Sequence, residues 1–244
     1  MSLRARLIAG TGVLGALTLG AILPVAFADS AAATYRVTLV NLTHGQPFSP
    51  PVAATHHKSI RMFRVGELAT DQLAAIAQDG NEVPMAALFA GLRHVTDVVD
   101  VGRPVPASGT VVGSFTDSVT FEIRAAHGDR LSLATMLICT NDGFLGLDAV
   151  KLPNEGSETF NLNGYDAGRE QNTERSIDIV DPCSALNPGF PLAGDPNGNR
   201  DAEVATSPAE PIRIHPGIKG IGDLSVAKHG WRDPVARVTV ERVG

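Results

Sequence analysis

The chain has 244 residues, of which 43% are hydrophobic and 19% are charged, and its 20 basic against 26 acidic side chains give a net charge of −6 at pH 7. This length is in the range of one large β domain. The acidic balance argues against a surface that binds nucleic acid or another polyanion, because phosphate contacts need clustered Lys and Arg. It is suited to a soluble, secreted protein that binds cations.

The first residues have the pattern of a targeting segment. Two arginines precede an apolar stretch, Leu7–Leu23, and Ala26-Phe27-Ala28 follows as a small-x-small cleavage site. The sequence therefore predicts a signal peptide over residues 1–28, a mature domain over residues 29–244, and export to the extracellular space or the periplasm. The apolar stretch is long for a signal, so an uncleaved membrane anchor is the alternative. Pro24 favours cleavage, after which no stable membrane insertion is expected.

Most of the chain after residue 34 alternates apolar and polar residues, as half-buried strands do. Strands are predicted at Tyr35–Leu42, Ile60–Val65, Asp97–Val101, Gly109–Phe115, Ser118–Ala125, Leu131–Cys139, Phe144–Val150, Ser157–Leu162 and Val235–Val243. Many short strands separated by turns predict an all-β sandwich rather than an α/β fold, with the first and last strands both belonging to it. No period of about 20 to 50 residues repeats, which argues against a solenoid or propeller.

One helical insertion interrupts the strands between Glu67 and Leu92, where apolar residues recur at helical spacing. Thr70 is the predicted N-cap and Gly80 the predicted C-cap of a first helix. Pro84 then opens a second short helix, which ends at Gly91. These helices are predicted to pack across an open end of the sandwich, and the alternative is a helix that binds a partner.

The chain contains two cysteines, Cys139 and Cys183. In a protein bound for an oxidising compartment an even pair favours a disulfide. The bridge would close a loop of about 45 residues, which the chain-entropy estimate values at up to roughly 4 kcal/mol. Two buried free thiols are the alternative.

Two other segments resemble metal sites only superficially. His56 and His57 are adjacent on an extended chain and therefore point to opposite faces, so they are interpreted as surface or loop histidines. The segment Asp195–Asp201 is similar to an EF-hand loop, but Arg200 occupies the glycine position and Thr206 the position of the bidentate glutamate. A flexible surface loop is the prediction there.

Acidic residues stand beside glycines in two turn-like segments that follow apolar runs. Asp142 precedes a glycine in Cys139–Gly146, and Asp166 and Glu170 flank one in Gly164–Glu170. A hard cation such as calcium takes about six to eight oxygen ligands, mixing carboxylates, carbonyls and water. If the fold brings these segments together, the three carboxylates could bind calcium. From spacing alone, ordinary turn aspartates are the alternative.

A resemblance to a known family favours the calcium site over ordinary turn aspartates. It is carried by residues 142–147, residues 165–170, the opening run 35–43 and the closing run 234–243. Together these segments resemble the spondin N-terminal domain family. The resemblance implies a C2-like antiparallel β-sandwich, extracellular, with calcium at Asp142, Asp166 and Glu170. Tyr165 replaces the usual tryptophan of the motif, and Glu170 stands where animal members carry aspartate; glutamate still ligates calcium.

The function that the resemblance implies is adhesion or ligand binding without catalysis, with an unknown extracellular protein or glycan as partner and no nucleic acid. Enzymatic motifs such as the Gly-x-Ser-x-Gly elbow and the His-Glu-x-x-His helix are absent from the sequence. The alternative is a calcium-dependent extracellular hydrolase that uses a carboxylate near the metal site, for instance Asp148 or Asp178, or a histidine there. Calcium-dependent membrane binding is a third hypothesis, for which Phe144, Tyr165 and Arg169 offer the side chains.

Overall fold

A computed structural model of the chain describes residues 32–189 and 204–244, and over these residues the chain forms ten β-strands and four α-helices. The strands are β1 (Ala33–Asn41), β2 (Val52–His56), β3 (Val95–Asp100), β4 (Ser118–Ala125), β5 (Arg130–Met136), β6 (Gly143–Lys151), β7 (Ser157–Leu162), β8 (Gly164–Asp166), β9 (Arg213–Ile214) and β10 (Ala236–Arg242). The helices are α1 (Asp71–Asp79), α2 (Val83–Gly91), α3 (Pro182–Leu186) and α4 (Val226–His229). The predicted signal peptide over residues 1–28 and the EF-hand-like segment 195–201 lie outside the described residues.

The strands form two antiparallel sheets. The smaller sheet has four strands in the order β4-β1-β10-β7, and the larger has six in the order β3-β2-β5-β6-β8-β9. In the smaller sheet Tyr35 of β1 lies opposite Arg242 of β10, and Asn41 lies opposite Ala236. The predicted all-β antiparallel sandwich is therefore confirmed, and its first and last strands are neighbours in one sheet.

The main core lies between the two sheets and follows from the alternation along each strand. In β1 the buried residues recur at every second position, and Val37 and Leu39 are fully buried. Val238 and Val240 of β10 join them from the neighbouring strand. From the larger sheet the core receives Ala53, Leu131, Leu133, Leu145 and Leu147. Burying each large aliphatic side chain contributes about 1.5–3 kcal/mol, so this core supplies most of the force that holds the sheets together.

Helices α1 and α2 begin and end where the sequence predicts, but they lie in a different place. The Thr70 hydroxyl accepts a hydrogen bond from Leu73 N, and Gly80 ends α1 in the left-handed conformation with φ 64°. The prediction that the helices cover an open end of the sandwich is wrong. They cover the outer face of the larger sheet, where Phe89 and Phe144 belong to a second core cluster. Because β2 is buried along its whole length, its outer face needs this cover.

Two predicted strands do not form, and the interpretation of His56 as a surface or loop histidine is wrong. Residues 60–65 form no strand, because this segment packs irregularly and Met62 N donates to the Asp148 carboxylate. Residues 109–115 form only a single bridge between Val112 and Phe115. His56 is fully buried at the end of β2, where its Nε2 lies 2.8 Å from the Ser132 hydroxyl.

The predicted disulfide between Cys139 and Cys183 is present. It joins the turn between β5 and β6 to α3, within a third cluster that includes Ile138, Ile179 and Val180. The bridge therefore anchors the segment that leads directly to Asp142. No helix in residues 32–189 or 204–244 is long and apolar enough to cross a membrane.

Candidate metal centre

The two acidic turn segments meet where the neighbouring strands β6 and β8 of the larger sheet begin and end. Asp142 immediately precedes β6, and Asp166 is the last residue of β8. These strands are paired so that Gly143 lies opposite Asp166, and Ala167 N donates to the Asp142 carbonyl over 3.1 Å. The fold therefore brings together the segments that the sequence analysis singled out.

The carboxylate of Asp142 is the centre of the cluster. Its Oδ2 accepts hydrogen bonds from the backbone N–H groups of Arg169, at 2.7 Å, and Glu170, at 2.9 Å. Its Oδ1 is buried without a hydrogen-bond partner among the residues described. A buried polar atom without a partner is costly, so this oxygen needs a proton or a ligand.

Asp166 is fully buried, but its carboxylate has several partners. Gly168 N donates to Oδ1 over 2.8 Å, while Asn172 Nδ2 at 2.7 Å and the Arg213 guanidinium at 3.0 Å contact Oδ2. The turn requires glycine at position 168, where φ is +69° and a Cβ atom would lie 2.1 Å from the Glu210 carbonyl oxygen. Asp166 is thus oriented by its own loop and balanced by one cation.

Glu170 completes the set of three predicted ligands and is 2% exposed. Its Oε1 accepts a hydrogen bond from Gln78 Nε2 of α1 at 2.6 Å. Burial first, and then the negative charges of Asp142, Asp79 and Asp178, together raise the pKa of Glu170 to about 9, against the lowering effect of the Gln78 hydrogen bond. Several carboxyl groups therefore compete for few protons or cations in this small volume.

The pKa of Asp142 is raised to about 7, first by burial and then by the nearby charge of Asp166. The hydrogen bonds that Asp142 accepts from the backbone N–H groups of Glu170 and Arg169 lower its pKa, but they do not offset these two effects. A carboxylate that is desolvated beside like charges favours its protonated form. A bound cation would remove that repulsion.

The three carboxylates are of the oxygen type that calcium binds, but their present positions do not form a coordination sphere. Among the described residues, no three Asp, Glu, His or Cys side chains converge as a metal-binding group. The physical reason is that Asp166 faces Arg213 and Glu170 faces Gln78. The unpartnered Oδ1 of Asp142 and the raised pKa values are nevertheless the features that a hard cation would relieve.

Sequence reasoning missed the residues that support the site. Arg213 reaches it from β9, and no pattern in the sequence links that strand to the Asp166 loop. Glu174 is also buried, and its carboxylate accepts hydrogen bonds from the N–H groups of Lys219, Gly220 and Ile221 at 2.6–2.9 Å. Glu174 thereby ties the segment after the site to the loop before α4.

The residues named for the alternative functions have structural partners. Asp148 accepts from Met62 N at 2.7 Å and lies 3.6 Å from Arg61. Asp178 accepts from the Thr173 hydroxyl at 2.6 Å and lies 3.6 Å from Arg175. Both carboxylates are therefore held by contacts within the fold.

The side chains considered for membrane contact are also held within the fold. Phe144 is fully buried, and the ring centroid of the half-buried Tyr165 lies 5.5 Å from that of Phe144. Arg169 donates to the Ala69 carbonyl and to the Asp71 carboxylate. None of these three side chains extends freely into solvent from the two acidic turn segments.

Comparison with models of protein families identifies a family for this chain. A family model described as Spondin_N matches residues 40–178. The matched region contains the acidic turn segments and their three carboxylates. No curated protein matches the chain.

Proposed function

The chain belongs to the spondin N-terminal domain family, and from that premise we propose that it is a secreted calcium-binding domain that adheres to an extracellular partner. The family and the Cys139–Cys183 disulfide support an extracellular protein of non-catalytic type. The partner is an extracellular protein or a glycan. Its recognition uses the surface of the domain and involves no chemical step.

The observation that carries the calcium proposal is the buried, unpartnered Oδ1 of Asp142. Asp142, Asp166 and Glu170 would hold the ion through carboxylate oxygens, which are the ligands that calcium prefers. The ion supplies positive charge where burial and mutual repulsion raise the pKa values of two of these groups. Arg213 and Gln78 contact Asp166 and Glu170 now, so these two side chains yield part of their contacts when the ion binds.

The proposal is tested by titrating the metal-stripped protein with calcium and magnesium in a calorimeter. We expect a calcium dissociation constant on the order of micromolar to millimolar, as in extracellular modules, and weaker magnesium binding because magnesium loses its water reluctantly. At about ten times the dissociation constant, calcium should add about 1.4 kcal/mol to the free energy of unfolding.

Isosteric variants locate the ion. Asp142→Asn and Asp166→Asn should each abolish the calcium heat and the calcium-dependent rise in Tm. Glu158→Gln is the matched control, because Glu158 is exposed on β7 in the other sheet and should leave both signals unchanged. Full calcium binding by Asp142→Asn would show that the site has been placed wrongly.

A further inference from the structure

We propose that a cleft at the opposite end of the β5–β6 hairpin from Asp142 binds the sulfate, phosphate or carboxylate group of a small acidic ligand. The cleft has a volume of about 390 Å³ and lies between the ends of the two sheets. Tyr35 and Arg242 line it from the smaller sheet, and Arg130 and Lys151 line it from the larger. The turn at His127 closes one side. This volume is in the range of small-molecule sites.

The pairing of β5 with β6 gathers two cations at the cleft. Arg130 lies directly opposite Lys151 in the antiparallel register. Like charges in that arrangement are destabilising unless an opposite charge lies between them. Asp129 is the acidic residue of the lining, but its Oδ2 already accepts hydrogen bonds from the Thr96 hydroxyl and from Ala126 N. Among the described residues, neither Arg130 nor Lys151 forms an ion pair with Asp129 or with another acidic side chain.

Arg242 adds a third cation whose position is fixed by the backbone. One guanidinium nitrogen donates to the Asn154 carbonyl over 2.6 Å, and Nε lies 3.5 Å from the Gly244 carbonyl. The cleft wall beside it is held by the Tyr35 hydroxyl, which donates to the Pro153 carbonyl over 3.2 Å. Arginine has five N–H donors, so these contacts leave others for an oxyanion. A donor held in place in advance loses little entropy on binding.

Most arginines outside the cleft have an acidic partner, and those among the described residues that have none, Arg93, Arg103, Arg232 and Arg237, do not line the cleft. Seven arginines outside the cleft lie within 3.6 Å of an Asp or Glu oxygen: Arg36, Arg61, Arg64, Arg124, Arg169, Arg175 and Arg213. In residues 32–189 and 204–244, none of Arg130, Lys151 and Arg242 forms such a pair. In a chain of net charge −6, acids are plentiful, so unpaired cations around one concave space point to an anion from outside.

The test uses calorimetric titration of the full chain at low salt with a sulfated disaccharide, its unsulfated counterpart, inorganic sulfate and inorganic phosphate. The expected result is that the sulfated sugar binds, that the unsulfated one does not, and that affinity falls as salt rises. Tighter binding of the sulfated sugar than of the free ions assigns an acidic glycan as the ligand. If the sulfated sugar and the free ions bind equally tightly, the ligand is the free oxyanion, and the proposal of an anion site in the cleft is supported. No heat from any probe at millimolar concentration overturns the proposal.

Variants connect the binding to the cleft. Arg242→Gln should weaken binding by on the order of tenfold or more, because a charge-assisted hydrogen bond is lost. The double variant Arg130→Gln, Lys151→Gln should lose binding while its Tm stays level or rises, so that loss of binding cannot be ascribed to unfolding. Arg237→Gln is the control, since Arg237 is exposed on β10 outside the cleft. An equal loss of affinity in Arg237→Gln would contradict the proposal.

Because the cleft does not include Asp142, Asp166 or Glu170, its test is independent of calcium. The wild-type protein should bind the sulfated probe with and without calcium. Asp142→Asn should likewise leave the affinity for the probe unchanged.

Discussion

The two ends of the β5–β6 hairpin hold charges of opposite sign in opposite environments. At the turn end, Asp142, Asp166 and Glu170 are buried. At the open end, Arg130 and Lys151 line a cleft that reaches solvent. The length of β5 separates the two ends by roughly 20 Å, at about 3.3 Å per residue. Each end gathers like charges, but only the turn end removes them from water.

That difference determines what each end responds to. Buried carboxylates shift their pKa values and so respond to protons and cations. Cations that line an open cleft respond to salt and to anions. The turn end is also braced by a disulfide and by tight backbone contacts, whereas the open end is closed by a turn with space around it. The following predictions separate the two ends, beginning with the largest effect.

The largest effect should come from removing the brace at the turn end. Changing Cys139 and Cys183 together to Ser should lower the free energy of unfolding by up to about 4 kcal/mol, because the bridge closes a loop with a sequence separation of 44. Urea unfolding of oxidised wild type and variant measures the difference. Calcium affinity should fall with it, since Cys139 leads into Asp142. The affinity of the folded variant for the sulfated probe should not change.

Two glycines with positive φ compare the backbone at the two ends. Gly168, at the turn end, has φ +69° and backbone atoms where a Cβ would lie; Gly128, at the open end, has φ +84° and nothing within 4 Å. Gly168→Ala should therefore cost about 2 kcal/mol or more, from strain and overlap together. Gly128→Ala should cost only the conformational strain, about 1 kcal/mol. Equal losses in thermal unfolding would contradict the close approach at Gly168.

The pH dependence of stability should arise at the turn end. The pKa values of Asp142 and Glu170 are raised in the folded protein to about 7 and about 9, from ordinary values of 3.8 and 4.5. Groups with raised pKa values bind more protons when folded, so the stability that they contribute is complete below about pH 4 and is lost as the pH rises through 7 and 9. We expect the metal-free protein to lose on the order of 1 kcal/mol or more between pH 5 and pH 8.

Calcium and Asp142→Asn provide the checks on that dependence. Saturating calcium should flatten the profile, because the ion binds the ionised carboxylates and releases their protons. Asp142→Asn should remove the part of the slope near pH 7 and leave the part caused by Glu170. Thermal unfolding across this pH range measures both. A metal-free profile that rises with pH would contradict the raised pKa values.

The sequence predicts the regular part of the fold better than the site. Ser118–Ala125 and Ser157–Leu162 agree with the predicted strands to the residue. In Ser118–Ala125 the reason is that buried and exposed positions alternate along the strand. The run 60–65 is as apolar as a strand, yet it covers the outer face of the larger sheet without pairing. An apolar run records burial, and it does not record which backbone groups are hydrogen-bonded.

Turn chemistry and family resemblance single out Asp142, Asp166 and Glu170 as candidate ligands, since all three lie in short local segments. Arg213 could not be found in this way, because its contact with Asp166 depends on the pairing of β8 with β9 across a long connection. The cleft was missed for a different reason. Net charge averages over the whole chain, so an acidic total argues against a polyanion-binding surface but does not report a local group of cations. The register of β5 and β6 places Arg130 against Lys151.

The smallest effect concerns the open end and compares it directly with the turn end. Lys151→Gln removes one of two like charges that face each other across β5 and β6, and should raise the free energy of unfolding by up to about 1 kcal/mol at low salt. At pH 8, Asp142→Asn should also stabilise the metal-free protein, because Asp142 is then ionised beside Asp166. The two gains have the same sign but should differ in their salt dependence. At about 0.1 M salt the Debye length is about 10 Å, so higher salt should remove the gain at the exposed Lys151 and preserve most of the gain at the buried Asp142. Urea unfolding of both variants at low and high salt measures this, and a Lys151→Gln gain that persists at high salt would mean that the charges at the open end are buried as well.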